Sequence, residues 1–425
     1  MAEMKDSGTA WLGMIPKDWE LSKISSIYEL RTQKVSDKDY PPLSVTMNGI
    51  VPQLDSAAKT NAHDDRKLVK KGDFAINSRS DRRGSCGVSE YDGSVSLINT
   101  VMKPRDEMNP DYYNWLFHTI QFADEFYKWG HGIVDDLWTT NWQDMKHIDI
   151  PVPTLDEQKV IADYLNKAIP EIDALHTDIE KQIETLEEYK KSVITEAVTR
   201  GLDPDVEMKD SGIEWIGMIP KHWNVMRTKY ASENLSKGNG ITKDEIKNDG
   251  NIQCIRYGEI YSKYDGSILK CFSKTKKELI SSPKYISKGD ILFAGTGELV
   301  EEIGKNVVYM GDGDCLAGGD IIVMKHNQNP VFFNYALNST YSQAQKSKGK
   351  AKLKVVHISA ADIGNIFVAI PPKKEQKKIA IILEKKCFEI NCAINEKKEQ
   401  LDTLEQYKKS LIYEYVTGKK EVLND

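Results

Sequence analysis

The sequence predicts an α+β protein: two small mixed α/β domains separated by two long antiparallel coiled-coil helices, in a pseudo-twofold, near-circular arrangement. Three observations carry this prediction. First, the chain repeats itself. Met4-Lys5-Asp6-Ser7-Gly8, Trp11, Gly13-Met14-Ile15-Pro16-Lys17 and Trp19 return as Met208-Lys209-Asp210-Ser211-Gly212, Trp215, Gly217-Met218-Ile219-Pro220-Lys221 and Trp223, an offset of 204. Leu186-Glu187-Glu188-Tyr189-Lys190-Lys191-Ser192 returns as Leu404-Glu405-Gln406-Tyr407-Lys408-Lys409-Ser410 at an offset of 218, so the second copy holds 14 extra residues between its matching ends (218 − 204). Second, each copy reads as short β-type runs punctuated by turns, followed by a long polar helix with an apolar stripe. Third, connectivity sets direction: the first helix ends at the entrance of the second domain. If the copies are equivalent, the second helix ends near the entrance of the first domain, bringing the two termini close together.

Taken in order, residues 1–153 form the first domain, 154–199 the first helix, 200–371 the second domain, 372–418 the second helix and 419–425 a tail. Gly72-Asp73-Phe74-Ala75-Ile76 and Asp290-Ile291-Leu292-Phe293-Ala294 read as strands, with turns at Tyr91-Asp92-Gly93-Ser94 and Tyr264-Asp265-Gly266-Ser267. One helical stretch in each domain covers residues 111–129 and 330–346. Each domain leaves through prolines, Pro151-Val152-Pro153 or Pro371-Pro372, into a helix opening Glu157-Gln158 or Glu375-Gln376. Proline suits a helix entrance, where its missing N–H has no intrahelical partner to lose. Pro170 is expected to start or kink the first long helix. Ile172, Leu175, Ile179, Leu186, Tyr189 and Val193 fall on a 3-4 alternation, broken only by Gln182. Ile390, Leu404, Tyr407 and Leu411 occupy matching places, with Ile394 and Leu401 beside them. The expectation is that the helices pack on each other along this stripe.

Composition narrows the function. A chain of 425 residues that is 40% hydrophobic and 29% charged is ordinary for a globular protein. It has no apolar run near the roughly 18 residues of a membrane span. The start Met1-Ala2-Glu3 lacks the basic-then-apolar pattern of a signal peptide, so a cytoplasmic, membrane-free protein is expected. The six cysteines and the histidines show no metal-ligand spacing, so free thiols and no metal site are expected. The net charge of −6 hides an asymmetry: residues 155–207 carry 6 basic and 14 acidic side chains, residues 208–370 carry 22 and 17. A nucleic-acid face needs only a local positive patch, because salt confines the effect to about 10 Å.

Enzyme motifs are weak. Phe293-Ala294-Gly295-Thr296-Gly297 has the form of a methyltransferase cofactor loop, but short glycine patterns are common and no Asn-Pro-Pro-aromatic motif accompanies it. No Walker-type, nucleophile-elbow or zinc-protease motif is present, and no catalytic residue is assigned. Nucleic-acid candidates are stronger. Asn77, Ser78, Arg79, Ser80, Arg82 and Arg83 put three arginines among amide and hydroxyl groups in one loop, chemistry suited to guanine, adenine and phosphate. Lys346, Lys348, Lys350 and Lys352 form a basic run suited to phosphates. Arg256 and Tyr257 are further candidates for contacts with DNA.

The ordered pattern resembles the specificity subunits of type I restriction-modification systems: Met-Lys-Asp-Ser-Gly with its tryptophans and Ile-Pro, a Lys-Gly-Asp strand (Lys71-Gly72-Asp73, Lys288-Gly289-Asp290), a proline exit, a Glu-Gln helix and a Tyr-Lys-Lys-Ser heptad, all twice. The resemblance covers essentially the whole chain. It implies two target-recognition domains, each reading half of a bipartite, asymmetric target in double-stranded DNA. It implies helices that space those domains and receive two methyltransferase subunits, with restriction/translocase subunits completing the complex. S-adenosylmethionine, ATP and magnesium would be used by the partners, and no cofactor would bind this chain. The family often carries Thr-Gly after the strand, as Thr296-Gly297 does and Ser78-Arg79 does not, so the half-sites should differ. A helix of about 44 Å from Glu171 to Thr199 fits half-sites about one DNA turn, or 34 Å, apart. The alternatives are a stand-alone adenine DNA methyltransferase and a helical scaffold that does not touch DNA.

Overall fold

A computed structural model describes residues 3–54, 63–79, 82–105, 108–133, 138–280, 283–297, 299–350 and 355–422. The chain divides into two compact units, Met1–Glu180 with Lys398–Asp425, and Lys181–Lys397. Each unit therefore owns one half of each long helix.

Unit 1 is built on a four-stranded antiparallel sheet in the order Cys86–Val88, Phe74–Asn77, Asn99–Pro104, Tyr28–Leu30. Unit 2 repeats it as Asn306–Tyr309, Ile291–Ala294, Ile321–His326, Ser232–Lys237 and adds Ser267–Ile268 in parallel at the edge. The central strands read FAIN and ILFA, apolar on both faces because both faces are covered. Lys-Gly-Asp opens each strand for a local reason. Gly72 (φ 87°) and Gly289 (φ 97°) take the left-handed turn, and the following aspartate accepts from the backbone N–H of Lys70 or Ser287 (2.7 and 2.8 Å).

The expected single helical stretches are each two helices, Pro110–Phe117 with Ile120–Lys128, and Pro330–Asn338 with Thr340–Ser347. A hydroxyl breaks both. Thr119 Oγ1 donates to Leu116 O (2.7 Å) and accepts from Phe122 N–H (3.2 Å), while Ser339 Oγ donates to Ala336 O (2.6 Å).

The long helices are Leu155–Arg200 and Lys373–Val416. The first runs through Pro170 without interruption, so that proline does not start it. Within unit 1 they run antiparallel: Tyr164 meets Tyr415 (ring centroids 4.5 Å) and Asp173 meets Lys408 (2.5 Å). Within unit 2 the Lys190 ammonium donates to Asn391 Oδ1 (2.9 Å), and Gly201 lies beside Glu375. The same unit 1 core that holds Ile161, Leu165 and Ile169 holds Leu411, Ile412 and Val416 from the other helix. Unit 2 likewise gathers Val193, Ile194, Ala197 and Val198 with Ile379, Leu383 and Cys387.

The predicted packing stripe is only partly right. Ile179, Val193, Ile390, Ile394 and Leu411 are buried, and Ile172, Leu186, Leu401 and Leu404 are half-buried. Leu175, Tyr189 and Tyr407 are exposed and do not pack the helix pair. A 3.5-residue stripe drifts around a 3.6-residue helix, and each helix half also turns a face toward its own domain.

The duplicated frame has duplicated contacts. The Trp19 indole N–H donates to Glu157 Oε1 (3.0 Å), and the Trp223 indole to Glu375 Oε1 (3.1 Å). Buried Gln158 accepts from Asn109 N–H (2.8 Å) and donates to Pro153 O (2.8 Å). Gln376 does the same with Asn329 N–H (2.8 Å) and Pro371 O (2.9 Å). The Glu-Gln motif thus ties the helix entrance to the domain in each copy. In unit 1 the tail comes back to the N-terminal segment: Lys419 Nζ donates to Leu12 O (2.5 Å) and Tyr413 Oη to Trp11 O (2.7 Å).

Candidate nucleic-acid interface

In unit 1 the central strand ends at Asn77, whose side-chain oxygen accepts from Arg79 N–H (3.1 Å) and turns the chain outward. Ser78 is buried, its Oγ 3.1 Å from Thr100 Oγ1 and its carbonyl accepting from Thr140 N–H (2.9 Å). That corrects its assignment as a contact: a hydroxyl sealed under the loop holds the loop instead. Arg79 and Arg82 are exposed. Arg83 is spoken for, its Nη1 2.8 Å from Asp124 Oδ1 and its guanidinium 4.1 Å above the Tyr127 ring. Tyr127 in turn stacks on Trp138 (5.4 Å). The result is an aromatic wall behind the arginines, with a recess lined by Arg79, Arg82, Arg83, Tyr127, Trp138 and Thr140. Ser80 lies outside the described residues.

In unit 2 the equivalent strand continues into Thr296–Gly297, which pairs antiparallel with Val356–His357. Thr296 Oγ1 lies 3.1 Å from His357 Nδ1. The glycines of this loop answer to packing: a Cβ on Gly295 would come 2.8 Å from Asp320 O, and one on Gly297 2.8 Å from Tyr261 Oη. Backbone and a tyrosine thus press on the two glycines of the cofactor-like motif. Tyr257 is exposed at the start of the helix Tyr257–Ser262. Arg256, just before it, turns its Nε toward the buried Glu259 carboxylate (3.6 Å) and is only partly open to solvent.

The basic run behaves differently from its sequence reading. Lys346 is buried, 2% exposed, and its ammonium donates to Gly304 O (2.8 Å) and Asn306 Oδ1 (2.9 Å) above the Phe293 ring. It is no phosphate contact but an internal brace for the segment around Gly304 and Asn306, and burial pushes its pKa down to about 7. Lys350 donates to His357 O (2.7 Å) and approaches Asp362 (3.4 Å). Lys348 is exposed, with its ammonium 4.5 Å from the Trp215 ring. Lys352 lies outside the described residues.

The structure thus brings together Asn77, Arg79, Arg82 and Arg83 in unit 1. In unit 2 it brings Thr296 and Lys350 to His357 and buries Lys346. Sequence reasoning missed Tyr127, Trp138 and His357. The first two could have been flagged as aromatics near a basic loop, while His357 sits in a segment with no distinguishing pattern.

Among the described residues no group of His, Cys, Asp and Glu could hold a metal, and no helix is long and apolar enough to cross a membrane. All six cysteines are free thiols.

Comparison with known proteins matches residues 16–185 and 220–406, one stretch in each copy, to the type I restriction modification DNA specificity domain. The MjaVIII type I restriction enzyme specificity subunit of Methanocaldococcus jannaschii is 24% identical over 96% of this chain and 95% of its own length. The StySPI specificity subunit of Salmonella potsdam is 23% identical over 86% and 81%. Among solved structures, a chain from work on complex assembly and conformational transition of the type I R-M system covers 96% of this chain and 99% of its own. It superposes with a TM-score of 0.74 at 13% identity. The HsdS subunit from Thermoanaerobacter tengcongensis covers 96% and 98%, with a TM-score of 0.52 at 15% identity. These two likenesses speak to fold.

Proposed function

The chain belongs to the type I restriction modification DNA specificity family, and from that premise we propose that it is the DNA-recognition subunit of a type I restriction-modification complex. Each unit reads one half of a bipartite target in double-stranded DNA, and the chain itself does no chemistry. Methylation and ATP-dependent cleavage belong to partner subunits, with S-adenosylmethionine, ATP and magnesium. A cytoplasmic location goes with that role.

One observation supports this above all: the frame contacts are the same in both copies, while the loops at the ends of the central strands differ. Identical frames suit two identical partners, and different loops suit two different half-sites. The partner surface has a marker too. Met14 and Met218 are 45% and 46% exposed, and Tyr189 and Tyr407 are 53% and 50% exposed. Apolar groups left equally uncovered in both repeats are where two methyltransferase subunits would dock. The stand-alone methyltransferase reading loses its one motif, because the glycines of residues 293–297 serve close packing.

The test uses the full chain assembled with its methyltransferase partner. Arg79→Ala with Arg82→Ala is expected to weaken target binding and methylation about 10- to 100-fold, since one bidentate arginine–guanine contact contributes about 1–3 kcal/mol. The purified chain alone should methylate nothing. Unchanged target binding by the double variant, or methylation by the isolated chain, would contradict the proposal.

A further inference from the structure

Both units seal the exit of the central strand with the same backbone arrangement, and the side chains on it are exchanged. In unit 1 Arg79 faces Thr139 across an antiparallel bridge, and the next residue, Thr140, donates its N–H to Ser78 O (2.9 Å). In unit 2 Thr296 faces His357, and the next residue, Ile358, donates its N–H to Gly295 O (3.0 Å). Directly opposed residues of an antiparallel pair point to one face. Each bridge therefore presents one threonine hydroxyl beside one larger hydrogen-bonding group. In unit 1 that group is Arg79, on the first strand; in unit 2 it is His357, on the second.

We infer that this opposed pair is the specificity-determining position of each unit, and that His357 reads a base edge in the half-site of unit 2 as Arg79 does in unit 1. The inference rests on the DNA-recognition reading above and names residues for it. His357 is exposed and held at two points. Its carbonyl accepts from Lys350 (2.7 Å), and its Nδ1 shares a hydrogen with Thr296 Oγ1 (3.1 Å). Among the described residues Nε2 has no hydrogen-bond partner, so it remains for a ligand.

The threonine decides what Nε2 offers. A hydroxyl has one donor and two acceptor lone pairs, and a neutral imidazole carries its single hydrogen on one nitrogen. If Thr296 donates to Nδ1, the hydrogen sits on Nε2, which then donates to a purine N7, guanine O6 or thymine O4. If Thr296 accepts from Nδ1–H, Nε2 accepts from the adenine or cytosine amino group. The arginine of unit 1 is a fixed donor fork, so its preference is for guanine. The two halves would thus be read by chemically different groups at one structural position.

The experiment reads the methylated motif by sequencing DNA modified by the full chain with its methyltransferase partner. Wild-type chain must first give a bipartite motif; its absence would sink the DNA-recognition reading itself, separately from this inference. Given that motif, His357→Ala is expected to relax one base position in one half by tenfold or more and to leave the other half as in wild type. Thr296→Val should change the preference at that same position, and Arg79→Ala should relax a guanine in the opposite half. If His357→Ala leaves too little methylation to define a motif, His357→Gln, which keeps a donor and an acceptor, is judged by the same criterion. A motif unchanged in the histidine variant, or altered in both halves, overturns the inference.

Discussion

Unit 1 places Phe126 on the second of its paired helices, and unit 2 places Lys346 at the equivalent position, 220 residues on, the offset that also relates Asn109-Pro110 to Asn329-Pro330. Phe126 sits among Phe117, Phe122 and Trp11 in an aromatic core. Lys346 instead joins a polar set with Gly304 O and Asn306, which is itself bonded to Asn334 (2.8 Å). One loop therefore rests on rings and the other on hydrogen bonds, although the strands beneath them pair in the same order. The entrance of the long helix shows no such change: the buried glutamine and the tryptophan–glutamate bond are the same in both units. The support of the loops around the central strands has diverged, and the frame has not.

Offsets between matching residues show where divergence entered. Trp19 and Trp223 are 204 apart, Lys71 and Lys288 are 217 apart, Asn109 and Asn329 are 220 apart, and Gln158 and Gln376 are 218 apart. Most of the added length in unit 2 therefore precedes the central strand. Three strands of a four-stranded unit 2 sheet lie there, Ser273–Thr275, Ile252–Ile255 and Tyr285–Ile286, and the fourth, Cys315–Ala317, joins them from beyond the central strand.

The sharpest way to break the comparison is at the frame. Gln158→Ala and Gln376→Ala each leave a half-buried asparagine N–H and a buried proline carbonyl unpaired. Each should cost on the order of 2–4 kcal/mol, because an unsatisfied buried group costs about 1–3 kcal/mol. Chemical denaturation of the two variants should show near-equal losses. A loss confined to one of them would mean that the frames are not equivalent.

A smaller effect sharpens the difference between the loops. Burial lowers the Lys346 pKa to about 7, against an ordinary value near 10.4. Between about pH 7 and pH 10 the unfolded chain then holds more protons at this site than the folded chain. Stability must therefore rise with pH through that window and be flat for this group below it. Melting of the wild-type chain should climb from pH 7 to pH 9 by about 2–4 °C for each kcal/mol gained. Lys346→Met should lose that climb, and Phe126→Leu should keep it. An unchanged pH slope in Lys346→Met would mean that the ammonium is not desolvated as described.

Much of the frame was legible because it is written twice. The Trp, Glu-Gln and Lys-Gly-Asp signatures recur, and each proved to be a local bonding arrangement that needs those residue types. The central strands were legible as short apolar runs, while the helix breaks at Thr119 and Ser339 were hidden because one hydroxyl decides them. The packing stripe misled at Leu175, Tyr189 and Tyr407, since a repeat pattern cannot say which face of a helix its own domain already covers. In the sites, charge was a poor guide. Lys346 reads as one lysine in a basic run, yet it is buried as a brace. His357 carries no sequence signal, because only a pairing across 61 residues puts it beside Thr296.

The most direct test of independent reading on a shared frame exchanges one recognition segment. The stretch between Trp19 and Pro151 is replaced by that of another family member, and the motif methylated by the complex is sequenced. The account predicts a bipartite motif in which one half takes on the donor's sequence while the other half is retained. A motif altered in both halves, or retained in both, would contradict it.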